Sequence, residues 1–267
     1  ICLSQRRRPP PLMGPAGVDV TSDGDSAVAW EEGRHPAESP LDVVPGLGEW
    51  EARFRRREAE CAPGKDWYCA WEALRGPLQP FLSRSDRVLL PGCGDAPLAL
   101  DMCGDGYTRL DCVDFAPAAV ARVRSGLEAA GHGASASACA VADVRALPHC
   151  DGAFDVVLDK GCFDALPQES GPAYMAEVRR VLRTGGRFVC VTNAASHLRK
   201  DVRSVSPEWQ CEALRGVQRP SAATLLFPGR FTGPPCSTLA GEDAFDVLVF
   251  QARGPPPGPL CDMDMVD

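Results

Sequence analysis

The sequence predicts a doubly wound α/β domain, a Rossmann-like sheet of seven strands, mostly parallel with an antiparallel last strand. Three stretches carry that prediction. Arg87–Leu90 is a short apolar run that stops at Pro91-Gly92-Cys93-Gly94, and an apolar helical stretch follows through Leu98, Leu100 and Met102. Leu110–Val113 is a second apolar run and ends on an acid, Asp114. Phe154–Leu158 reads FDVVL, with the continuous apolar character of a strand buried on both faces, and delivers Asp159 and Lys160 to its carboxyl end. Strand, glycine turn, helix, strand and terminal carboxylate is the order in which open α/β sheets build a nucleoside site outside the carboxyl ends of their strands.

The remaining elements follow in chain order. Residues 1–45 are rich in Pro, Gly, Ser and Asp without apolar periodicity and read as a disordered tail; 46–253 form the folded domain; 254–267, Pro-rich and then acidic, form a second disordered tail. The chain opens on Ile1 rather than Met, so its natural start is expected upstream. Arg6-Arg7-Arg8 suits the end of a targeting segment, but Asp19, Asp23, Asp25 and the prolines are wrong for an amphipathic transit helix, and a solvated tail is the reading. Gly48–Phe54 begins a helix with Trp50 and Phe54 on one face. Asp66–Trp71 begins another, with Trp67, Trp71, Leu74 and Leu78 forming one buried stripe. Trp71 is read as core. Trp50, Phe54 and Trp67 are either core aromatics or a lid covering an adenine or a sulfonium, where a cation over an aromatic face gains about 0.5–2 kcal/mol.

Pro117–Leu127 is a helix, Gly131–Ser137 a loose linker, and Ala138–Val141 a short strand ended by Asp143. Tyr174–Leu182 is an amphipathic helix closed by Thr184-Gly185-Gly186 as a glycine C-cap, and Arg187–Thr192 is the next strand. Trp209–Leu214 and Ala244–Gln251 are the last strands, an antiparallel hairpin at the sheet edge with a long Pro/Gly/Ser-rich connection over Arg215–Asp243.

Composition narrows the function classes. A chain of 267 residues with 45% hydrophobic content suits one domain with appendages. A net charge of −8 argues against a nucleic-acid binder, whose footprint is a basic patch. No apolar run approaches the roughly 18–20 residues that span a bilayer, so a soluble domain without membrane partners is expected. The 13 cysteines are odd in number, scattered, and never spaced C-x-x-C, which reads as reduced thiols in a cytosol-like compartment rather than a disulfide framework or a metal site. The four histidines are dispersed; His197, just beyond the fifth strand, is the one near the expected rim and is read as a surface residue.

The glycine turn chooses between two ligand classes. A dinucleotide site wants G-x-G-x-x-G, with helix N–H groups facing a pyrophosphate. Here Pro97 stands at the third position, and the fingerprint fails. S-adenosyl-L-methionine has no phosphate; it needs the close backbone approach that Gly92 and Gly94 permit and an acid such as Asp114 for its ribose hydroxyls. On the residues alone, Asp143 is a loop acid or a ligand contact, and Lys160 a surface charge or a cofactor-pocket border. Asp159 is the candidate catalytic residue, orienting a substrate amine at the site mouth, with pairing or loop capping as its alternative. Cys162 is not expected to be a nucleophile, since methyl transfer needs no covalent thiol.

The passages EWEARF, KDWY, VLLPGCGDA, CVDFAP, FDVVLDKGCFDAL and VLRTGGRFVCV resemble, over roughly residues 49–200, the class I (seven-β-strand) methyltransferase-like family of protein-lysine methyltransferases. The DKG…DAL passage is the specific part, because generic class I enzymes lack it. The chain is similar above all to members acting on a lysine of translation elongation factor 1-alpha; the citrate synthase lysine methyltransferase belongs to the same wider group. The resemblance implies that Trp50, Phe54 and Trp67 line the cofactor site. Gly92 and Gly94 make the turn under the methionine part, and Asp114 with Phe115 hold the ribose and adenine side. Asp143 and Val144 flank the adenine, while Lys160 closes the pocket. It also implies S-adenosyl-L-methionine as cofactor, a protein substrate presenting a lysine, and a cytoplasmic setting, with a mitochondrial one as alternative. Phe54 replaces the usual Tyr, Asp95-Ala96 replaces Asn-Ser, and Cys162-Phe163 replaces Thr-Leu, all leaving the glycines and the ribose acid in place. The competing functions are citrate synthase methylation, methylation of a small molecule, and a catalytically silent binding module on the same fold.

Overall fold

A computed structural model describes residues 46–207, 209–214 and 245–253. The tails expected at 1–45 and 254–267 and the long connection at 215–243 lie outside the described residues. In chain order the elements are α1 (Leu47–Ala59), α2 (Trp71–Leu78), β1 (Val88–Pro91), α3 (Leu98–Gly104), β2 (Leu110–Asp114), α4 (Pro117–Ala129), α5 (Gly133–Ser137), β3 (Cys139–Val141), β4 (Phe154–Lys160), α6 (Cys162–Ala165), α7 (Gly171–Val181), β5 (Leu182–Thr192), α8 (Ala195–Val205), β6 (Gln210–Leu214) and β7 (Asp246–Gln251).

The seven strands form one sheet in the order β3-β2-β1-β4-β5-β7-β6. All neighbours from β3 to β5 pair in parallel, whereas β7 runs antiparallel to both β5 and β6. The expected single antiparallel last strand is therefore present. The chain reverses its winding between β1 and β4, and the carboxyl ends of those two strands open the crevice where such sheets bind ligands.

Alternation along each strand builds two cores. Val88 and Leu90 of β1 and Val156 and Leu158 of β4 face one side, packed with Leu74 and Leu78 of α2, Met102 of α3 and Leu127 of α4. Leu89 and Val157 face the other, with Met175 and Val178 of α7 and Leu198 of α8. Burial on both faces is why these strands read as unbroken apolar runs rather than alternating ones. Trp71 is core as expected, its indole N–H donating to Asp105 at 2.6 Å.

Three local expectations change. The second helix starts at Trp71, so Trp67 is not on its stripe; Asp66–Ala70 is a bend with Tyr68 at φ 65°. The cause is Lys160, whose buried ammonium takes the Asp66 carboxylate and the Cys69 carbonyl and so draws this segment to the end of β4. The linker at 131–137 contains the short helix α5, where the Ala136 N–H donates to the His132 carbonyl and the Ala138 N–H to the Ala134 carbonyl. Gly185 and Gly186 do not cap α7. They lie within β5, where the pairing with β4 jumps from Phe154↔Leu182 to Val156↔Arg187. Gly185, at φ 78°, donates to the Ala252 carbonyl, and Ala252 donates back to Gly186, so the pair forms a bulge tied to the end of β7.

Nine of the described cysteines are free thiols. Among the described residues no helix is long and apolar enough to cross a membrane, and no cluster of three His, Cys, Asp or Glu could hold a metal.

Candidate active site

After β1 the chain turns through Gly92 (φ 56°) and Gly94 (φ 57°), the left-handed region that favours glycine. A side chain at Gly92 is excluded by packing as well, since its Cβ would lie 2.5 Å from the Cys162 sulfur. The Gly94 N–H donates to Oδ2 of Asp114 and the Ala116 N–H to Oδ1, both at 2.9 Å. Asp114 is only 3% exposed but lines the cavity above the turn. Burial pushes its carboxyl up to about 6, against the opposing pull of the two backbone donors. Each carboxylate oxygen thus has one fixed donor and keeps capacity for another. That is a rigid two-point acceptor, matched to a vicinal diol.

One wall of the cavity is aromatic. On α1 the rings of Trp50 and Phe54 stack with centroids 5.7 Å apart and planes at 26°, and Trp67 approaches Trp50 to 5.8 Å. The Arg53 guanidinium covers Trp50 at 5.0 Å and Trp67 at 5.7 Å. Polar bonds position this wall. Glu51 on α1 accepts from the Ala118 N–H in the first turn of α4 at 3.0 Å, and Arg57 pairs with Asp95, beside the glycine turn, at 2.7 Å.

The opposite wall comes from the ends of β3 and β4. Asp143 accepts both side-chain and backbone bonds from Arg145. Burial alone would raise the Asp143 carboxyl, but the Arg145 bonds outweigh it and hold it below its ordinary value. Lys160, at the last position of β4, borders the cavity with its stem while its ammonium is tied to Asp66 and Cys69. Gly161, at φ 87°, follows; a Cβ there would lie 3.3 Å from the Tyr68 ring, so glycine lets the Trp67-Tyr68 segment close over the strand end.

A cavity lies between these walls. Trp50, Phe54, Trp67, Gly92, Gly94, Asp114, Phe115, Asp143, Val144 and Lys160, the candidate cofactor residues, all line it. The sequence reading missed Arg145, Gly161, Cys162 and the turn Ala165-Leu166-Pro167, which complete the wall. Most of these belong to the DKG…DAL passage that carries the resemblance, and that placement was the available signal. Arg145 had no signal beyond standing two residues after Asp143.

Asp159 is a correction. It is not at the site mouth and does not line the cavity. Its side chain is fully buried, accepting from the Cys162 N–H at 2.8 Å, the Phe163 N–H at 3.0 Å and the Tyr174 hydroxyl at 2.8 Å. The first two bonds cap the short helix α6, and the third ties it to α7. In a continuous buried strand alternate side chains face opposite sides of the sheet, and Asp159 faces the α7 side beneath the crevice. Cys162 touches the cavity from below, with burial pushing its thiol well above the ordinary value, as suits a packing role beside Gly92.

Comparison with known proteins agrees with this architecture. A family described as "Methyltransferase domain" matches residues 88–186. Mouse "EEF1A lysine methyltransferase 4" is 32% identical over 163 residues, covering 56% of this chain and 62% of the relative. Zebrafish "eEF1A lysine and N-terminal methyltransferase" is 32% identical over 155 residues, covering 57% of this chain and 22% of the relative. The chain therefore spans less than two thirds of the length of either protein. A TehB-like SAM-dependent methyltransferase from Corynebacterium glutamicum shares the fold, with TM-score 0.50 and 16% identity, over 78% of this chain and 98% of that one. Class I methyltransferase domains take their methyl group from S-adenosylmethionine, and the diol acceptor, the glycine turn without a phosphate site and the aromatic wall fit that ligand. Residues 88–186, which hold the glycine turn, Asp114 and the strand that ends at Lys160, are thus similar to a methyltransferase domain and lie on a seven-stranded sheet.

Proposed function

We propose that the chain is an S-adenosylmethionine-dependent protein-lysine N-methyltransferase acting on translation elongation factor 1-alpha. The observation that carries the cofactor half of this reading is Asp114, a buried carboxylate at the base of the cavity with both oxygens already oriented by backbone donors. The substrate half is supported by the names of the relatives, both methyltransferases of that elongation factor, together with the DKG…DAL passage folded into the cavity wall.

The bound cofactor supplies a methyl group on a sulfonium, an electrophile that needs no further activation. This chain's residues therefore act by placement. Asp114 fixes the ribose, Val144 and Phe115 bracket the base, and the α1 rings exclude water from the cavity. Alignment of the amine with the bond being broken supplies several kcal/mol. The lysine must arrive neutral. Asp159 is buried away from the cavity and Asp143 is held by Arg145, so loss of the amine proton is driven by partial desolvation at the aromatic mouth.

The test is transfer of labelled methyl from S-adenosylmethionine to purified elongation factor 1-alpha, with the modified residue mapped by peptide mass spectrometry. Label on a lysine is the expected result. Transfer to a different extract protein would redirect the target, and no transfer to any protein by a chain that binds the cofactor would overturn the enzymatic reading.

A further inference from the structure

The turn after β4 carries a second acid. Asp164 stands in α6, and its neighbours Cys162 and Ala165 line the cavity. The Tyr68 hydroxyl donates to Oδ2 of Asp164 at 2.8 Å, and the Thr192 hydroxyl donates to Oδ1 at 2.6 Å. Backbone N–H groups of Asn193 and Ala194 add to these bonds. Thr192 is the last residue of β5, and Tyr68 follows Trp67, which lines the cavity. Asp164 therefore joins the cavity wall to the end of β5, the next strand along the sheet. Tyr68 reaches it at φ 65°, a left-handed conformation that residues other than glycine rarely adopt.

The acids around the cavity differ in what answers their charge. Asp143 is paired with Arg145, and Asp66 with Lys160. Asp114 faces the nucleoside side of the cavity, and Asp159 is sealed beneath α6. Asp164 is partly exposed, its donors are neutral, and among the described residues no cation pairs with it. Neutral donors hold a carboxylate in place but leave its charge without a counter-charge. That charge also raises the Asp159 carboxyl, so a cation arriving at Asp164 relieves both acids. Burial lifts the Asp164 carboxyl above its ordinary value, against the pull of its donors, which makes it a better proton acceptor than a solvated carboxylate.

We propose that Asp164 is a catalytic residue, receiving the ε-ammonium of the substrate lysine from the β5 side of the cavity and taking up its proton. This rests on the lysine-methylation reading above and deepens it by naming where the proton goes. An N–H bond of the ammonium breaks, the proton passes to a carboxylate oxygen of Asp164, and the electron pair stays on nitrogen. That pair forms the bond to the methyl carbon, while the carbon–sulfur pair leaves with S-adenosylhomocysteine. Desolvation drives the proton transfer, because it disfavours both charges of an ammonium–carboxylate pair. The exposed side of Asp164 then returns the proton to water.

Steady-state transfer of labelled methyl to elongation factor 1-alpha by the wild-type chain, Asp164→Asn and Tyr68→Phe tests this, beside calorimetric titration of each with S-adenosylhomocysteine. Asp164→Asn keeps the shape of the side chain and removes its charge. It should lower kcat about 100-fold, while KM for the protein and affinity for S-adenosylhomocysteine stay within about threefold. Tyr68→Phe keeps the carboxylate but loses a donor that orients it, and should lower kcat about fivefold. A folded Asp164→Asn chain with kcat within about threefold of the wild type overturns the Asp164 assignment alone. Where that variant does not fold, Tyr68→Phe decides, and an unchanged kcat there overturns the assignment. Loss of S-adenosylhomocysteine affinity in step with kcat would show a structural role and overturn it as well. A wild-type chain that binds S-adenosylhomocysteine yet labels no protein brings down the lysine-methylation reading and this inference together.

Discussion

Asp114 ends β2 and Asp159 stands one residue before the end of β4, at the same edge of the sheet. They are 3% and 0% exposed. Burial pushes both carboxyls up, to about 6 and about 7. Their surroundings differ. Asp114 has one backbone donor per oxygen and a cavity beyond. Asp159 has two backbone donors and a tyrosine hydroxyl, and packed side chains all round. An acid at a strand end is thus either a ligand acceptor or a structural cap, and what decides is whether its donors leave one side open. In this domain β2 presents its acid to the cavity and β4 uses its acid to build the wall that the cavity needs.

That contrast yields graded expectations. Asp159→Ala should have the largest effect on folding. It leaves two buried N–H groups and a buried hydroxyl without partners, at a cost of about 3–5 kcal/mol read from urea unfolding. A variant as stable as the wild type would show that Asp159 does not hold α6 in place. Gly92→Ala comes next, about 2–3 kcal/mol, because it combines a positive φ with a Cβ set 2.5 Å from the Cys162 sulfur. Cys162→Ala in the same chain should recover only the sulfur's share of that loss, since the Cβ of residue 162 also lies 2.7 Å from the added carbon, and none of the backbone part. Full recovery, or none, would contradict this division.

The smallest effect is a pH dependence. A carboxyl raised on folding keeps its proton in the native state at pH values where the unfolded chain has released it. The stability these two groups contribute is therefore greatest below the ordinary carboxylate value. It falls as pH rises from about 4 to about 7, then levels off. In the unfolding midpoint against pH, Asp159→Asn should flatten the part of the slope between about 6 and 7, and Asp114→Asn only the part below about 6. Cofactor affinity should run the opposite way, rising as Asp114 ionises.

The contrast also marks what could be read from the sequence. The succession of strands and helices along the chain, the glycine turn and Asp114 were legible because they depend on local patterns: apolar runs, two glycines and an acid at a run's end. The aromatic wall was legible only through resemblance, since spacing put Trp67 on a helix that begins four residues later. That bend depends on Lys160, more than ninety residues away in the chain. The role of Asp159 was misread for the same reason, as Tyr174 and the turn into α6 become its partners only on folding. Gly185 and Gly186 look like a helix stop, and their bulge is set by pairing with Ala252. Where a residue's partner is distant in sequence, local pattern identified the residue type but not its work.

The central claim is that Asp114 faces a nucleoside ligand. Titrating the wild-type chain and Asp114→Asn with S-adenosylmethionine tests it most directly. Clear binding by the wild type is expected, and affinity weaker by at least about thirtyfold in the variant, as two charge-assisted hydrogen bonds to the ribose are impaired; the melting temperature falls as well, because one of the two backbone donors then faces an NH2 group. A folded Asp114→Asn chain that binds the cofactor undiminished would contradict it.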